Sequence, residues 1–115
     1  MKSLSTKIYC IFLLFALAFK ANAQEQIVFR NYSVADGLRS NTVWCISQDD
    51  QGYMWFGTKN GLSRFNGYQF KSYHFDKQDQ QSLSDNFIHS IHKFDSETYW
   101  LGTETGISIL DLKKE

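Results

Sequence analysis

An all-β chain built from repeated antiparallel sheets is predicted by three observations. The first is a repeat at a fixed offset of 45 residues, without a gap: Asn41-Thr42-Val43-Trp44-Cys45-Ile46 recurs as Asn86-Phe87-Ile88-His89-Ser90-Ile91, and Trp55-Phe56-Gly57-Thr58-Lys59-Asn60-Gly61-Leu62-Ser63 as Trp100-Leu101-Gly102-Thr103-Glu104-Thr105-Gly106-Ile107-Ser108. Eight positions of these copies are identical: Asn41/Asn86, Ile46/Ile91, Asp50/Asp95, Trp55/Trp100, Gly57/Gly102, Thr58/Thr103, Gly61/Gly106 and Ser63/Ser108. The second is that each copy breaks into short runs of aromatic and β-branched residues bounded by turn residues. The third is that both faces of these runs are apolar: in Tyr53-Met54-Trp55-Phe56, Trp55 points one way while Met54 and Phe56 point the other, so neither face suits water. A period of roughly 40 to 50 residues made of short strands is the signature of four-stranded propeller blades, which are sandwiched between neighbours.

The first 23 residues stand apart. Lys2 and Lys7 precede twelve uninterrupted apolar or aromatic residues, Ile8 to Phe19, and Ala21-Asn22-Ala23 supplies the small residues that a signal peptidase reads. The run is short for a membrane span, which needs about 20 apolar residues. A cleaved Sec-type signal over 1–23 is expected, with Gln24 the first mature residue.

Residues 24–115 are read as a partial β-propeller. A lead-in, 24–40, carries one outer strand, because Phe29-Arg30-Asn31-Tyr32 resembles Phe70-Lys71-Ser72-Tyr73 at an offset of 41. The next connection is therefore four residues longer, and the polar stretch Asp76 to Ser84 accommodates the difference. A first blade, 41–73, has strands at Thr42 to Ser47, Tyr53 to Thr58, Gly61 to Phe65 and Tyr68 to Tyr73. Asp49-Asp50-Gln51-Gly52 separates the first two strands, while Asn60-Gly61 and Asn66-Gly67 predict type I′ hairpins. A second blade, 86–115, is incomplete, with strands at Phe87 to Lys93, Thr98 to Thr103 and Gly106 to Leu110. Gly57 and Gly102 are expected to leave room for an adjacent blade or for the ring itself to close. Asp50-x-Gly52-x-x-Trp55 resembles an Asp-box hairpin, with the Asp50 carboxylate accepting turn N–H groups.

Composition excludes several function classes. Without the signal, nine basic side chains against twelve acidic ones leave a charge of −3, and the basic residues form no stripe, so no nucleic acid partner is expected. Cys45 has no cysteine partner after residue 23, aligns with Ser90, and reads as a small core residue rather than a nucleophile. His74 falls on a loop, and His89 and His92, three apart on a strand, face opposite sides, so no metal site is expected. No catalytic grouping and no cofactor site can be read from spacing, and the Gly-Thr-x-x-Gly segments are hairpins without the helix that a phosphate loop requires. Trp55 and Trp100 recur at one blade position, which points to inter-blade packing. Trp44 has His89 as its counterpart and is the better candidate for a role specific to one blade. No ligand-binding residue follows from spacing alone.

Asp36-Gly37-Leu38, then Ser40-Asn41-Thr42-Val43, then the continuous run Gln48-Asp49-Asp50-Gln51-Gly52-Tyr53-Met54-Trp55-Phe56-Gly57-Thr58-Lys59-Asn60-Gly61-Leu62-Ser63-Arg64-Phe65-Asn66-Gly67 resemble the opening of the two-component regulator propeller proteins. The resemblance covers essentially all of 24–115. It implies the periplasmic sensor of a hybrid two-component system of the Bacteroidetes type, followed in such proteins by a Y_Y_Y domain, a membrane helix and a histidine kinase. It also implies a carbohydrate-derived small ligand, an inner-membrane-anchored parent protein, and further blades as packing partners. These 115 residues contain no phosphoacceptor histidine in a helical context and no glycine-rich ATP-binding segment, so the chain is expected to be no enzyme itself. A truncated exported propeller enzyme of the lyase or glycosidase type and a nonfunctional gene remnant are the alternatives. Two blades alone are expected to be marginally stable or to self-associate.

Overall fold

The computed structural model describes residues 2–18 and 24–114 and divides the chain into two units, 1–30 and 31–115. In the first, α1 spans Lys2–Ala18, with the side chains of residues 3–17 exposed. Among the described residues no helix is long and apolar enough to cross a membrane. The expected cleavage stretch, Ala21 to Ala23, lies outside them.

The second unit contains two antiparallel sheets. Strands β1 (Val43–Gln48), β2 (Met54–Thr58), β3 (Gly61–Phe65) and β4 (Phe70–Tyr73) form one in the order β1-β2-β3-β4. Strands β5 (Ile88–Lys93), β6 (Thr98–Thr103) and β7 (Gly106–Asp111) form the other in the order β5-β6-β7. These are one complete blade and three strands of the next, and the predicted strand positions agree with them closely. β4 is the exception, starting two residues late because Asn66 holds the preceding loop. Its side-chain oxygen accepts from the backbone N–H of Tyr68 (2.9 Å) and Gln69 (2.8 Å), an Asx turn that leaves Tyr68 outside the ladder.

The packing between the sheets is the core. Trp55, Leu62, Ile88 and Leu101 are buried there, with Cys45, Tyr73, Leu83, Ile91 and Leu110 packed around them. Trp55 and Leu62 come from one sheet, Ile88 and Leu101 from the other. The opposite face of the first sheet carries an aromatic layer in which Phe65 stacks on Phe70 at 4.6 Å and Tyr32 lies 4.9 Å from Phe65. Both faces of the first blade are thus apolar, as the alternation in β2 requires.

Four of the eight identical repeat positions form a hydrogen-bond frame. Asn41 Oδ1 accepts from the Val34 N–H at 2.9 Å and Asn86 Oδ1 from the Phe75 N–H at 2.7 Å, so each asparagine fastens the connection that leads into its blade. Ser63 Oγ accepts from the Arg39 N–H and Ser108 Oγ from the Ser84 N–H, both at 3.0 Å. Thr58 and Thr103 donate to the carbonyls of Gly61 and Gly106, at 2.7 and 2.9 Å, closing the equivalent hairpins. Val34 to Phe75 is an offset of 41 and Arg39 to Ser84 one of 45, which places the four-residue insertion between Phe75 and Ser84.

Three expectations change. The predicted outer strand at Phe29 to Tyr32 has no regular structure: no strand pairs with it among the described residues, and a strand exists only through its ladder. The Asn-Gly hairpins are not type I′, because neither Asn60 nor Asn66 has a positive φ. In the β2–β3 hairpin the left-handed residue is Gly61 (φ 111°), after the two loop residues Lys59 and Asn60, and Gly106 (φ 133°) repeats this geometry. The box carboxylate is Asp49 rather than Asp50. Asp49 Oδ1 accepts from the Gln51 and Tyr53 N–H groups, and Oδ2 from the Trp55 indole N–H, each at 2.9 Å. In the second copy Asp95 accepts the turn N–H groups, and Phe94, aligned with Asp49, instead stacks on Trp100 at 5.6 Å. Trp55 is accordingly 1% exposed, whereas Trp100, which the repeat assigns to inter-blade packing, is 39% exposed on the face of the second sheet that turns away from the first.

Candidate functional site at the entry of the inner strands

Strands β1 and β5 are neighbours at the boundary between the two sheets, and each begins with the same irregularity. Val43 pairs with Thr58 and Cys45 with Gly57, which leaves Trp44 as an extra residue; Ile88 pairs with Thr103 and Ser90 with Gly102, which does the same to His89. A bulge of this kind re-aims one side chain out of the strand's alternation. Glycine is required opposite the first: a Cβ on Gly57 would sit 2.3 Å from Cys45 Sγ, 2.7 Å from Ile88 Cγ2 and 3.1 Å from the Ile88 carbonyl oxygen, whereas one on Gly102 would meet only the Ser90 hydroxyl closely, at 2.3 Å, a contact that rotation of the serine relieves. Gly57 therefore does leave room for the neighbouring blade, through Ile88. Gly102 makes room within its own sheet.

The bulged side chains meet across the blade boundary. The ring centroids of Trp44 and His89 are 5.6 Å apart at an interplanar angle of 58°, and Phe87 flanks His89 at 6.5 Å. His89 Nε2 lies 2.6 Å from Glu104 Oε2, in the β6–β7 hairpin. An ionised carboxylate can only accept, so the ring nitrogen donates in this bond. Trp44 is 51% exposed, and Phe87, His89 and Glu104 are also open to solvent. The arrangement offers an aromatic face beside an acceptor, which suits stacking and hydrogen bonding to a polar ligand; it contains no activated nucleophile. The sequence singled out Trp44 and His89 as non-equivalent counterparts. Glu104 was missed, although its counterpart is Lys59, an equally visible divergence.

The remaining candidates fall into structural places. Cys45 Sγ donates weakly to the Ile88 carbonyl at 3.9 Å, and burial pushes its thiol pKa up against the smaller opposing effect of a backbone bond at Gly57. A raised pKa means little thiolate at neutral pH. Iodoacetamide at pH 7.5 is therefore expected to modify Cys45 more slowly in the folded protein than after unfolding in urea, and equal rates would show that the site is open. His92 pairs with Trp100 in the ladder, facing away from the core. Asp50 forms an ion pair with Lys93 across the blades and raises the lysine pKa by that hydrogen bond. Among the described residues no three His, Cys, Asp or Glu side chains converge on a metal position. A concavity of about 300 Å³ opens between the blades where the inserted connection passes, lined by Leu62, Tyr73, His74, Leu83, Leu101 and Ser108 among others.

Residues 37–60 match the family model of the two component regulator propeller. The matched span runs from the turn before Leu38 through the first bulge to the β2–β3 hairpin. The repeat is that of a two-component regulator propeller. A histidine kinase of Formosa agariphila is 36% identical over 78 residues, which is 67% of this chain and 6% of the kinase. The extracellular domain of a hybrid two component system from B. thetaiotaomicron superposes with a TM-score of 0.68 at 28% identity, over 74% of this chain and 12% of that one. This chain thus spans a small part of the length of either relative. The Trp44–His89 bulge pair sits in a fold like that of the extracellular domain of a hybrid two component system.

Proposed function

We propose that residues 24–115 are opening blades of the periplasmic ligand-sensing propeller of a hybrid histidine kinase, exported by a signal at 1–23 and responsive to a carbohydrate-derived small molecule. The observation that carries this reading is the superposition on the extracellular domain of a hybrid two component system, supported by the kinase relative. The frame of repeated asparagine, serine and threonine bonds supports a scaffold role for most of the chain, with recognition left to the positions at which the copies differ. Further blades would cover the outer faces of the two sheets, and the signalling module would lie elsewhere in the parent protein. Export is tested by sequencing the amino terminus of periplasmic protein: it is expected to begin at Gln24, in part as pyroglutamate, and an intact Met1 on membrane-bound protein would refute the cleavage. Sensing is tested by titrating the parent sensor with neutral oligosaccharides while following kinase autophosphorylation, where no response to any of them would remove the carbohydrate reading.

A further inference from the structure

We infer that Trp44, His89 and Glu104 form a binding subsite for a neutral saccharide, with the Trp44 ring as the stacking platform and the His89–Glu104 pair as the hydroxyl-recognising edge. The inference rests on the sensing role proposed above and specifies where in the propeller the ligand is held.

Three observations converge on these residues. The first is the pair of bulges, which at equivalent places in β1 and β5 remove Trp44 and His89 from the ladder and turn them toward one another across two blades. The second is divergence. At the hydrogen-bond frame the two copies keep the same residues, because every blade needs the same turns and the same fastening of its connection. At this site they differ at three aligned positions: Trp44 against His89, Thr42 against Phe87, and Lys59 against Glu104. A ligand held once by two blades needs different groups from each of them, and these exchanges supply an indole, an imidazole and a carboxylate. The third is exposure. Trp44 leaves 51% of its surface open beside a flanking histidine, although the other tryptophan of this sheet is fully buried with its indole N–H satisfied.

The chemistry selects the ligand class. A pyranose presents an apolar C–H face that packs on an indole ring and a rim of hydroxyls that donate to acceptors. Glu104 uses one oxygen on His89 and retains acceptor capacity on the other, and the His89 bond fixes the carboxylate beside the aromatic platform. An acidic sugar would bring like charge to Glu104, so the neutral class is favoured. The site is a shallow platform rather than a closed pocket, which suits an oligosaccharide lying across two blades.

The test uses the full exported protein and a series of neutral gluco-, xylo- and arabino-oligosaccharides, with calorimetric titration as the readout. Wild type is expected to bind a member of the series, Trp44→Ala to weaken that binding at least about tenfold, which corresponds to about 1.4 kcal/mol, and Glu104→Gln to weaken it several-fold. Trp100→Phe, outside the subsite, is expected to bind as wild type does. In the wild-type protein the Trp44 indole NMR resonance is expected to shift on saccharide addition, a readout that survives any folding defect of the variants. Unchanged affinity in both Trp44→Ala and Glu104→Gln, with no shift at Trp44, overturns the subsite while leaving the sensing role in place. Absence of binding to every oligosaccharide by wild type overturns the saccharide reading and the subsite together.

Discussion

Trp55→Ala is expected to unfold the two-blade unit, and Trp100→Ala to leave it folded, although the two tryptophans occupy the same position of the repeat. Trp55 is 1% exposed among Leu62, Ile88 and Leu101, and its indole N–H donates to a buried carboxylate of Asp49. Its removal leaves a cavity between the sheets and deprives Asp49 of one of its three donors. Deleting a buried large aromatic costs about 3–5 kcal/mol. A small domain has only about 5–15 kcal/mol of total stability, and two blades with open outer faces are placed toward the lower end. Trp100 is 39% exposed and rests on Phe94, so its truncation removes much less buried surface. Far-UV circular dichroism and urea titration of residues 24–115 would separate the two, and equal losses would show that Trp55 does not hold the sheets together. Covering the outer face of the second sheet with a further blade is expected to raise the cost of Trp100→Ala toward that of Trp55→Ala.

The strands were legible because alternation and turn residues act locally. Met54 to Thr58 and Thr98 to Thr103 stand where the runs of aromatic and β-branched residues placed them, and the 45-residue offset carried the topology from one sheet to the other. Features that depend on a partner were less legible. Asn-Gly favours a type I′ turn in isolation, but the side chains of Thr58 and Thr103 hydrogen-bond across their hairpins and place the left-handed residue at the glycine. Asp49 and Asp50 are adjacent carboxylates, and the spacing to Gly52 and Trp55 pointed to Asp50. The ladder decides between them by burying Asp49 beside Trp55 and leaving Asp50 to reach Lys93 on the next blade. The bulges are defined only by counting residues against the opposite strand, so the sequence could mark Trp44 and His89 as counterparts without showing that they touch. Glu104 needed one further step, the pairing of Ile88 with Thr103, which sets the β6–β7 hairpin beside His89.

The second large effect concerns the outer faces. Residues 24–115 produced alone are expected to associate in a concentration-dependent way. In β6 and β7, Trp100, Ile107 and Ile109 line the face that turns away from the first sheet; the two isoleucines are 63% and 61% exposed. The corresponding side chains of the first sheet are Trp55, Leu62 and Arg64. There the tryptophan and leucine are buried under Ile88 and Leu101, and the arginine guanidinium lies over the rings of Tyr53 and Trp55 at 4.8 and 5.5 Å. Where one copy of the repeat has its face covered by the next blade, the other shows a more apolar face to water. A repeat array generally needs three or more units to bury its surfaces, and a propeller ring at least about four blades. Self-association is the simplest way for two blades to cover such a face, and β7 adds a strand edge that no other strand pairs with among the described residues. Analytical ultracentrifugation across a range of concentrations is the direct measurement. Ile107→Lys together with Ile109→Lys is expected to shift the protein toward monomer without loss of β-sheet signal, because both side chains are already open to solvent. A wild-type protein that stays monomeric at high concentration, with a cooperative urea transition of several kcal/mol, would show that the two sheets need no further blade.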